Sequence, residues 1–271
     1  MSRGVALAVV SIAALDMRRR PGHRAELTSQ LLMGETVAIL GGAPRGGWLE
    51  VENRTDGYRG WVRDWGLVVA SRARVERWSR AARGRVGQLF VELREGPGRG
   101  ALVSPLFWNS RVIAHSVRGR FRHIELPDGR RGWMPASALA SRRASRGFTA
   151  RVAGLLGIPY LWGGRTPLGF DCSGFTQQVL AEQGIAIARD AEQQFRRARS
   201  LPSGEAPRMG DLVFFGPRKG PVEHVGLGLG GGYYAHCRKH VHINSVDPSN
   251  PLCDIALNRQ SRGWKRPVRR A

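Results

Sequence analysis

The sequence predicts an all-β amino-terminal half followed by an α+β domain. One observation carries the first part. The stretch Trp48-Leu49-Glu50-Val51, continued by Asp56-Gly57-Tyr58-Arg59-Gly60-Trp61-Val62, is echoed 72 residues later by Phe121-Arg122-His123-Ile124 and Asp128-Gly129-Arg130-Arg131-Gly132-Trp133-Met134. Asp-Gly between alternating apolar residues is a hairpin signal. The repeat distance fits two small β-barrels of about 60–70 residues each; the alternative is two unrelated hairpins in one β domain. A second observation carries the rest. From Phe148 apolar residues recur at helical spacing, and a run of strands follows between Asp211 and Asn244.

The chain has 271 residues, of which 42% are apolar, enough for two or three small domains with real cores. Its formal net charge is +22, carried almost wholly by arginine, since lysine stands only at Lys219, Lys239 and Lys265. Such a surface attracts anions. The basic residues are nevertheless dispersed, with no run longer than Arg18-Arg19-Arg20, and no interleaved aromatic-basic platform is present. No nucleic-acid partner is therefore expected. The three cysteines, Cys172, Cys237 and Cys253, form neither a disulfide framework nor a metal-binding pair. No apolar run approaches the roughly 20 residues of a membrane span.

In order along the chain, Arg3 precedes the apolar run Val5 to Ala14, which reads as buried strand leading into Leu15-Asp16-Met17-Arg18, with a short signal-peptide core as the rival. Glu35 to Leu40 is a further strand. The Gly-Trp after each Asp-Gly reads as a strand with a buried aromatic. Residues 71–85, rich in Arg and Ala, form a linker or short helix. Ala150, Val152, Ala153 and Leu156 predict an amphipathic helix ending at Gly157. A helix follows Cys172, and another runs from Ala191 to Ala198. The strands are Asp211 to Phe215, Val225 to Leu229, Tyr233 to His236 and His240 to Asn244.

The chemistry-bearing stretch is Pro159-Tyr160-Leu161-Trp162-Gly163-Gly164-Arg165, followed by Gly169-Phe170-Asp171-Cys172-Ser173-Gly174-Phe175. Phe175, Val179 and Leu180 place Cys172 at a helix N-terminus, where the partial positive charge favours thiolate. A nucleophilic cysteine needs a base and a group that orients the base. His224 opens one strand and His236 closes the next, and a hairpin through Gly230-Gly231-Gly232 can bring both to one end of the sheet. A lone histidine on a strand is usually structural; two beside a glycine-framed cysteine point to catalysis. Cys237 should face the core. His240 and His242 are expected to face solvent, which leaves a zinc site without convergent ligands. Trp162 reads as packing.

Residues from about 148 to 265 resemble the NlpC-type cell-wall cysteine peptidases, through Pro159-Tyr160-Leu161-Trp162-Gly163-Gly164, Asp171-Cys172-Ser173-Gly174-Phe175, Met209-Gly210-Asp211-Leu212-Val213-Phe214-Phe215, His224-Val225-Gly226 and Ala235-His236. The openings Leu15-Asp16-Met17-Arg18 and Arg20-Pro21-Gly22 resemble bacterial SH3-type domains. The resemblance implies an α+β papain-like peptidase domain preceded by two small all-β SH3-like barrels. The boundaries are 1–70 for the first barrel, 71–85 for a linker, 86–142 for a divergent second barrel and 148–268 for the peptidase.

With those domains ahead of it, the chain is similar to γ-D-glutamyl-L-diamino acid endopeptidases, which act on peptidoglycan stem peptides. The resemblance implies that Cys172 is the nucleophile, His224 the general base and His236 the orienting residue. Tyr160 would help hold the oxyanion. Asp171 and Ser173 would position substrate, Asp190 would bind the amine of an N-terminal L-alanine, and Tyr58 would help close the cleft. Ala191 stands where some relatives carry serine after the aspartate. No cofactor is implied. Muropeptide recycling implies a cytoplasmic location, which is favoured; wall remodelling implies the periplasm or secretion. The competing reading is a weak or inactive peptidoglycan-binding protein that uses its SH3-like domains.

Overall fold

The structure, a computed structural model, describes residues 6–41, 44–140 and 147–268. Arg3 and Val5, part of the reading of the first apolar run, lie outside the described residues. The chain divides into two compact units, Met1–Ala144 and Ser145–Ala271. Among the described residues no helix is long and apolar enough to cross a membrane.

Two antiparallel sheets make up the amino-terminal unit. The first orders its strands Leu27–Leu32, Ala14–Arg18, Arg59–Arg63, Trp48–Asn53, Thr36–Ile39, Ala6–Val10 and Leu67–Ala70. Alternation sends Leu15, Met17, Val51 and Val62 into one core with Leu31 and Val37. The second orders Arg99–Phe107, Phe90–Gly96, Arg131–Pro135, Phe121–Glu125, Arg111–Arg118 and Gly84–Arg85. Its core gathers Val91, Leu93, Leu106, Ile124 and Met134. The two Asp-Gly turns share one chemistry. Asp56 Oδ1 accepts from Tyr58 N at 2.9 Å, and Asp128 Oδ1 accepts from Arg130 N at 3.1 Å. Gly57 and Gly129 hold φ of 77° and 89°, the left-handed region that a side chain disfavours.

One expectation changes here and one alternative is decided. Trp61 and Trp133 are only half-buried, because the pleat turns Gly60, Val62, Gly132 and Met134 inward. Trp61 lies under the Arg45 guanidinium, and Trp133 packs on His123. The segment read as a linker or short helix contains the helix Arg72–Ala81, capped by the Ser71 hydroxyl. Its Val75 and Trp78 pack on Leu7 and Val9, and Trp78 donates from Nε1 to Gly34 O at 3.1 Å. Arg111 N also donates to Met33 O at 2.9 Å, which joins the second sheet to the first.

The carboxy-terminal unit packs its helices and a six-stranded antiparallel sheet. The strand order is Arg199–Ser200, Ser261–Arg266, Leu212–Phe215, His224–Gly230, Tyr233–Cys237 and Val241–Ser245. Leu212 to Phe215 is buried at every position, as a strand covered on both faces must be. The helix Cys172–Glu182 contributes Phe175, Val179 and Leu180 to the core. Buried Arg151 and Glu182 pair between the helices Phe148–Ala153 and Cys172–Glu182, with Arg151 Nε 2.8 Å from Oε2. The first of these helices stops short of Gly157, at a C-cap on Gly154. The chain then turns so that Gly157 N donates to Val241 O at 2.9 Å. That bond ties the loop before Tyr160 to the last strand of the site.

Candidate active site

Cys172 is the first residue of its helix because Asp171 caps it. Asp171 Oδ1 accepts from Gly174 N at 2.6 Å and from the Ser173 hydroxyl at 3.2 Å, and Oδ2 accepts from Gly163 N at 3.0 Å. Buried Arg189 completes the cluster, donating from Nη1 to Oδ1 at 3.0 Å and from Nη2 to Oδ2 at 2.5 Å. Arg189 Nη1 also reaches Ser173 Oγ at 2.9 Å. Gly174 is required by close approach, since a Cβ there would stand 2.2 Å from Gly164 O. The side chains of Asp171 and Ser173, expected to position substrate, also hold the turn that carries Cys172. Five donors on one carboxylate leave it few free lone-pair directions.

The Cys172 side chain is 6% exposed at residue level. Its Sγ lies 4.0 Å from Glu223 O, and the Val225 N–H also points at it, so the sulfur sits against the main chain on both sides of His224. No hydrogen bond joins Sγ to the His224 ring. The helix N-terminus was expected to favour thiolate. Burial, followed by the negative Asp171, outweighs the N–H groups of Val225 and Ser173 and pushes the thiol up to about 12. At neutral pH the Cys172 side chain is therefore a thiol rather than a thiolate.

The hairpin does bring the two histidines together. The strands His224–Gly230 and Tyr233–Cys237 pair Leu227 with Ala235 and Gly228 with Tyr234. His224 Nε2 lies 2.7 Å from His236 Nδ1. The rings meet edge to face, at 76° with centroids 5.0 Å apart. His236 is fully buried, and its Nε2 lies 2.9 Å from Asn244 Oδ1. Burial, then His236, lowers His224 to about 3; burial lowers His236 to about 4 against the opposing Asn244 contact. Both imidazoles are neutral at rest, as a base must be before it accepts a proton.

His242, expected to face solvent, is half-buried and packs on His236 with ring centroids 4.2 Å apart. The pairing of His236 with His242 across adjacent strands puts the two side chains on one face. His240 is exposed and stands 5.0 Å from His242, centroid to centroid. Cys237 is buried, as expected, and its Sγ donates to Phe170 O at 3.1 Å. Trp162 does not fill the core: it is 60% exposed.

Tyr160 is held by its backbone, with N donating to Lys239 O at 2.9 Å and a bridge to Phe170. Burial first, then the negative charge that Cys172 carries once ionised, raises its phenol above the ordinary value, so it is a hydroxyl donor. Asp190 occupies the N-cap position of the helix Ala191–Arg197, yet its side chain makes no capping bond. It is half-buried and directly follows Arg189, which is tied to Asp171. Gln194 joins the same assembly, donating from Nε2 to Ser173 O at 3.1 Å and to Ala188 O at 2.9 Å. Tyr58 belongs to the amino-terminal unit, where it packs partly buried against the first core.

Asn244, Arg189 and Gln194 were missed as site residues. Asn244 could have been found from its position two residues after His242, on the same face of the strand. Nothing in local pattern marks Arg189 as a buried arginine.

Residues 157–260 match the NlpC/P60 family, and residues 17–67 match the bacterial dipeptidyl-peptidase SH3 domain. The chain is 44% identical over 86 residues to a γ-D-glutamyl-L-lysine dipeptidyl-peptidase of Bacillus subtilis (strain 168), covering 31% of this chain and 29% of that protein. A protein of the same name from Bacillus cereus is 25% identical over 250 residues, covering 83% and 71%. Dipeptidyl-peptidase 6 of Lysinibacillus sphaericus is 26% identical over 275 residues, covering 90% and 93%. The crystal structure of an NlpC/P60 family protein from Bacillus cereus matches 97% of this chain and 99% of that one, with a TM-score of 0.80 at 20% identity, which shows the shared fold. Residues 157–260 are thus an NlpC/P60 domain, preceded at residues 17–67 by an SH3 domain of the bacterial dipeptidyl-peptidase type.

Proposed function

We propose that this protein is a cysteine endopeptidase that hydrolyses the bond between γ-D-glutamate and the L-diamino acid of peptidoglycan stem peptides, and that it requires a free N-terminal L-alanine. The observation that carries the reading is the placement of Cys172 at a helix N-terminus against the strand opened by His224, with His236 2.7 Å behind that ring. The names of the relatives support the bond cleaved. The same proposal takes residues 86–142 as a divergent second SH3-like barrel and the cell's use of the enzyme as muropeptide recycling in the cytoplasm.

In this reading Cys172 Sγ turns from Glu223 O toward His224, gives up its proton to the ring, and attacks the γ-glutamyl carbonyl. The oxyanion is received by the Cys172 N–H at the helix terminus and by the Tyr160 hydroxyl. His224, now imidazolium and steadied by His236, returns the proton to the leaving amine of the diamino acid. The thioester left on Cys172 is then hydrolysed by a water that His224 activates. Both partners begin neutral, so proton transfer accompanies attack. Asp190 holds the ammonium of L-alanine by a charge-assisted contact. A substrate without that charge forgoes the contact and binds less well. The role of Tyr58 in closing the cleft rests on the resemblance of its segment alone.

The test is a pair of peptides, L-Ala-γ-D-Glu-diamino acid with a free or an acetylated amine. Cleavage of the free peptide alone, with the preference erased in Asp190→Asn, is the expected result. Equal cleavage of both by the wild type removes the role of Asp190, and binding without cleavage favours the wall-binding reading. Tyr58→Ala is expected to lower kcat/KM for the free peptide; an unchanged value removes Tyr58 from the site.

A further inference from the structure

Behind the two histidines stands an amide that the triad does not use. Asn244 is 8% exposed, and its Oδ1 lies 2.9 Å from Nε2 of His236. Register explains the contact. His236 pairs with His242 on the neighbouring strand, and Asn244, two residues further on, shares the face of His242 and reaches the ring diagonally.

Each contact in this row needs one proton, and the oxygen decides where both protons sit. A carbonyl oxygen only accepts, so Nε2 of His236 carries a hydrogen. In the neutral ring, Nδ1 of His236 is then a lone pair. It can be 2.7 Å from His224 Nε2 only by accepting from it. That leaves Nδ1 of His224 without a proton. An amide nitrogen at the same place would reverse every step and put a hydrogen on His224 Nδ1, where it could not receive the proton of Cys172.

We propose that Asn244 is a positioning residue whose side-chain carbonyl sets the tautomers of His236 and His224 in turn, and so keeps the proton-accepting nitrogen of His224 bare for Cys172. The proposal rests on the reading of this site as a cysteine peptidase centre. Around His236 stand His224, Tyr234, His242 and Asn244, with Arg238 opposing and Asp254 favouring its positive charge.

Nitrogen-15 NMR of the histidine-labelled wild type reads the tautomers without any substrate, which separates failure of this proposal from failure of the proposed activity. Both His224 and His236 are expected to be protonated at Nε2 near neutral pH. A proton on Nδ1 of either ring overturns the proposal, whatever the enzyme cleaves. Asn244→Leu removes the acceptor and is expected to lower kcat by about 10²-fold or more with KM little changed, as loss of a tautomer-holding group does. Asn244→Asp keeps an acceptor and is expected to retain activity within about tenfold, with the acid limb of the pH profile moved to higher pH because a carboxylate favours imidazolium. A leucine variant within about twofold of wild-type kcat, or an aspartate variant no better than leucine, overturns the assignment.

Discussion

Arg189 and Asp171 form a two-pronged ion pair inside the protein, with Nη1 3.0 Å from Oδ1 and Nη2 2.5 Å from Oδ2. The pair fastens the segment that carries Asp190 to the cap of the nucleophile helix. Removing one partner leaves the other charge buried without compensation. Arg189→Met is therefore expected to destabilise the carboxy-terminal unit by about 3–5 kcal/mol, read by urea denaturation. A loss below about 1 kcal/mol would mean that the pair behaves as an exposed one.

The neutral resting thiol has a chemical signature. Because Cys172 is buried and raised to about 12, iodoacetamide should label it slowly at pH 7, after the partly exposed Cys253, and faster as pH rises beyond 9. Peptide mass spectrometry after timed quenching reads the order. Cys172 labelled first at pH 6, with a rate flat from pH 5 to 8, would show a resting thiolate and restore the expectation drawn from the helix terminus alone.

Stability should fall in acid through the two histidines. Their folded values, about 3 for His224 and about 4 for His236, lie below the ordinary 6.5, so the unfolded chain binds protons first. Above pH 6.5 both states are neutral and the contribution is complete. It is lost as pH drops from 6.5 toward about 4 for His236 and about 3 for His224, at about 1.4 kcal/mol per pH unit for each histidine. Denaturation of the wild type and His236→Gln at pH 7 and pH 5 checks the sign. An equal pH slope in both proteins would contradict burial as the cause.

The sequence made legible what local chemistry dictates. Asp-Gly demanded the turns at Gly57 and Gly129, and apolar spacing after Cys172 demanded its helix. It also placed His224 and His236 on adjoining strands. What escaped depends on partners far away in the chain. Trp61 and Trp133 looked like core aromatics, but the pleat turns them outward. His242 looked solvent-facing until cross-strand pairing laid it on His236. The charge state of Cys172 could not be read from its helix position, since burial and Asp171 outweigh the terminus. The internal partner of Asp171, Arg189, escaped because it lies 18 residues away.

The central claim is that Cys172 does the chemistry on a stem peptide. Incubating wild type and Cys172→Ala with L-Ala-γ-D-Glu-diamino acid peptide and following the products by mass spectrometry tests it most directly. The account expects L-Ala-D-Glu and the free diamino acid from the wild type, and a fall of at least about 10³-fold in the variant. Comparable hydrolysis by the alanine variant, or release of products from any other bond, would contradict it.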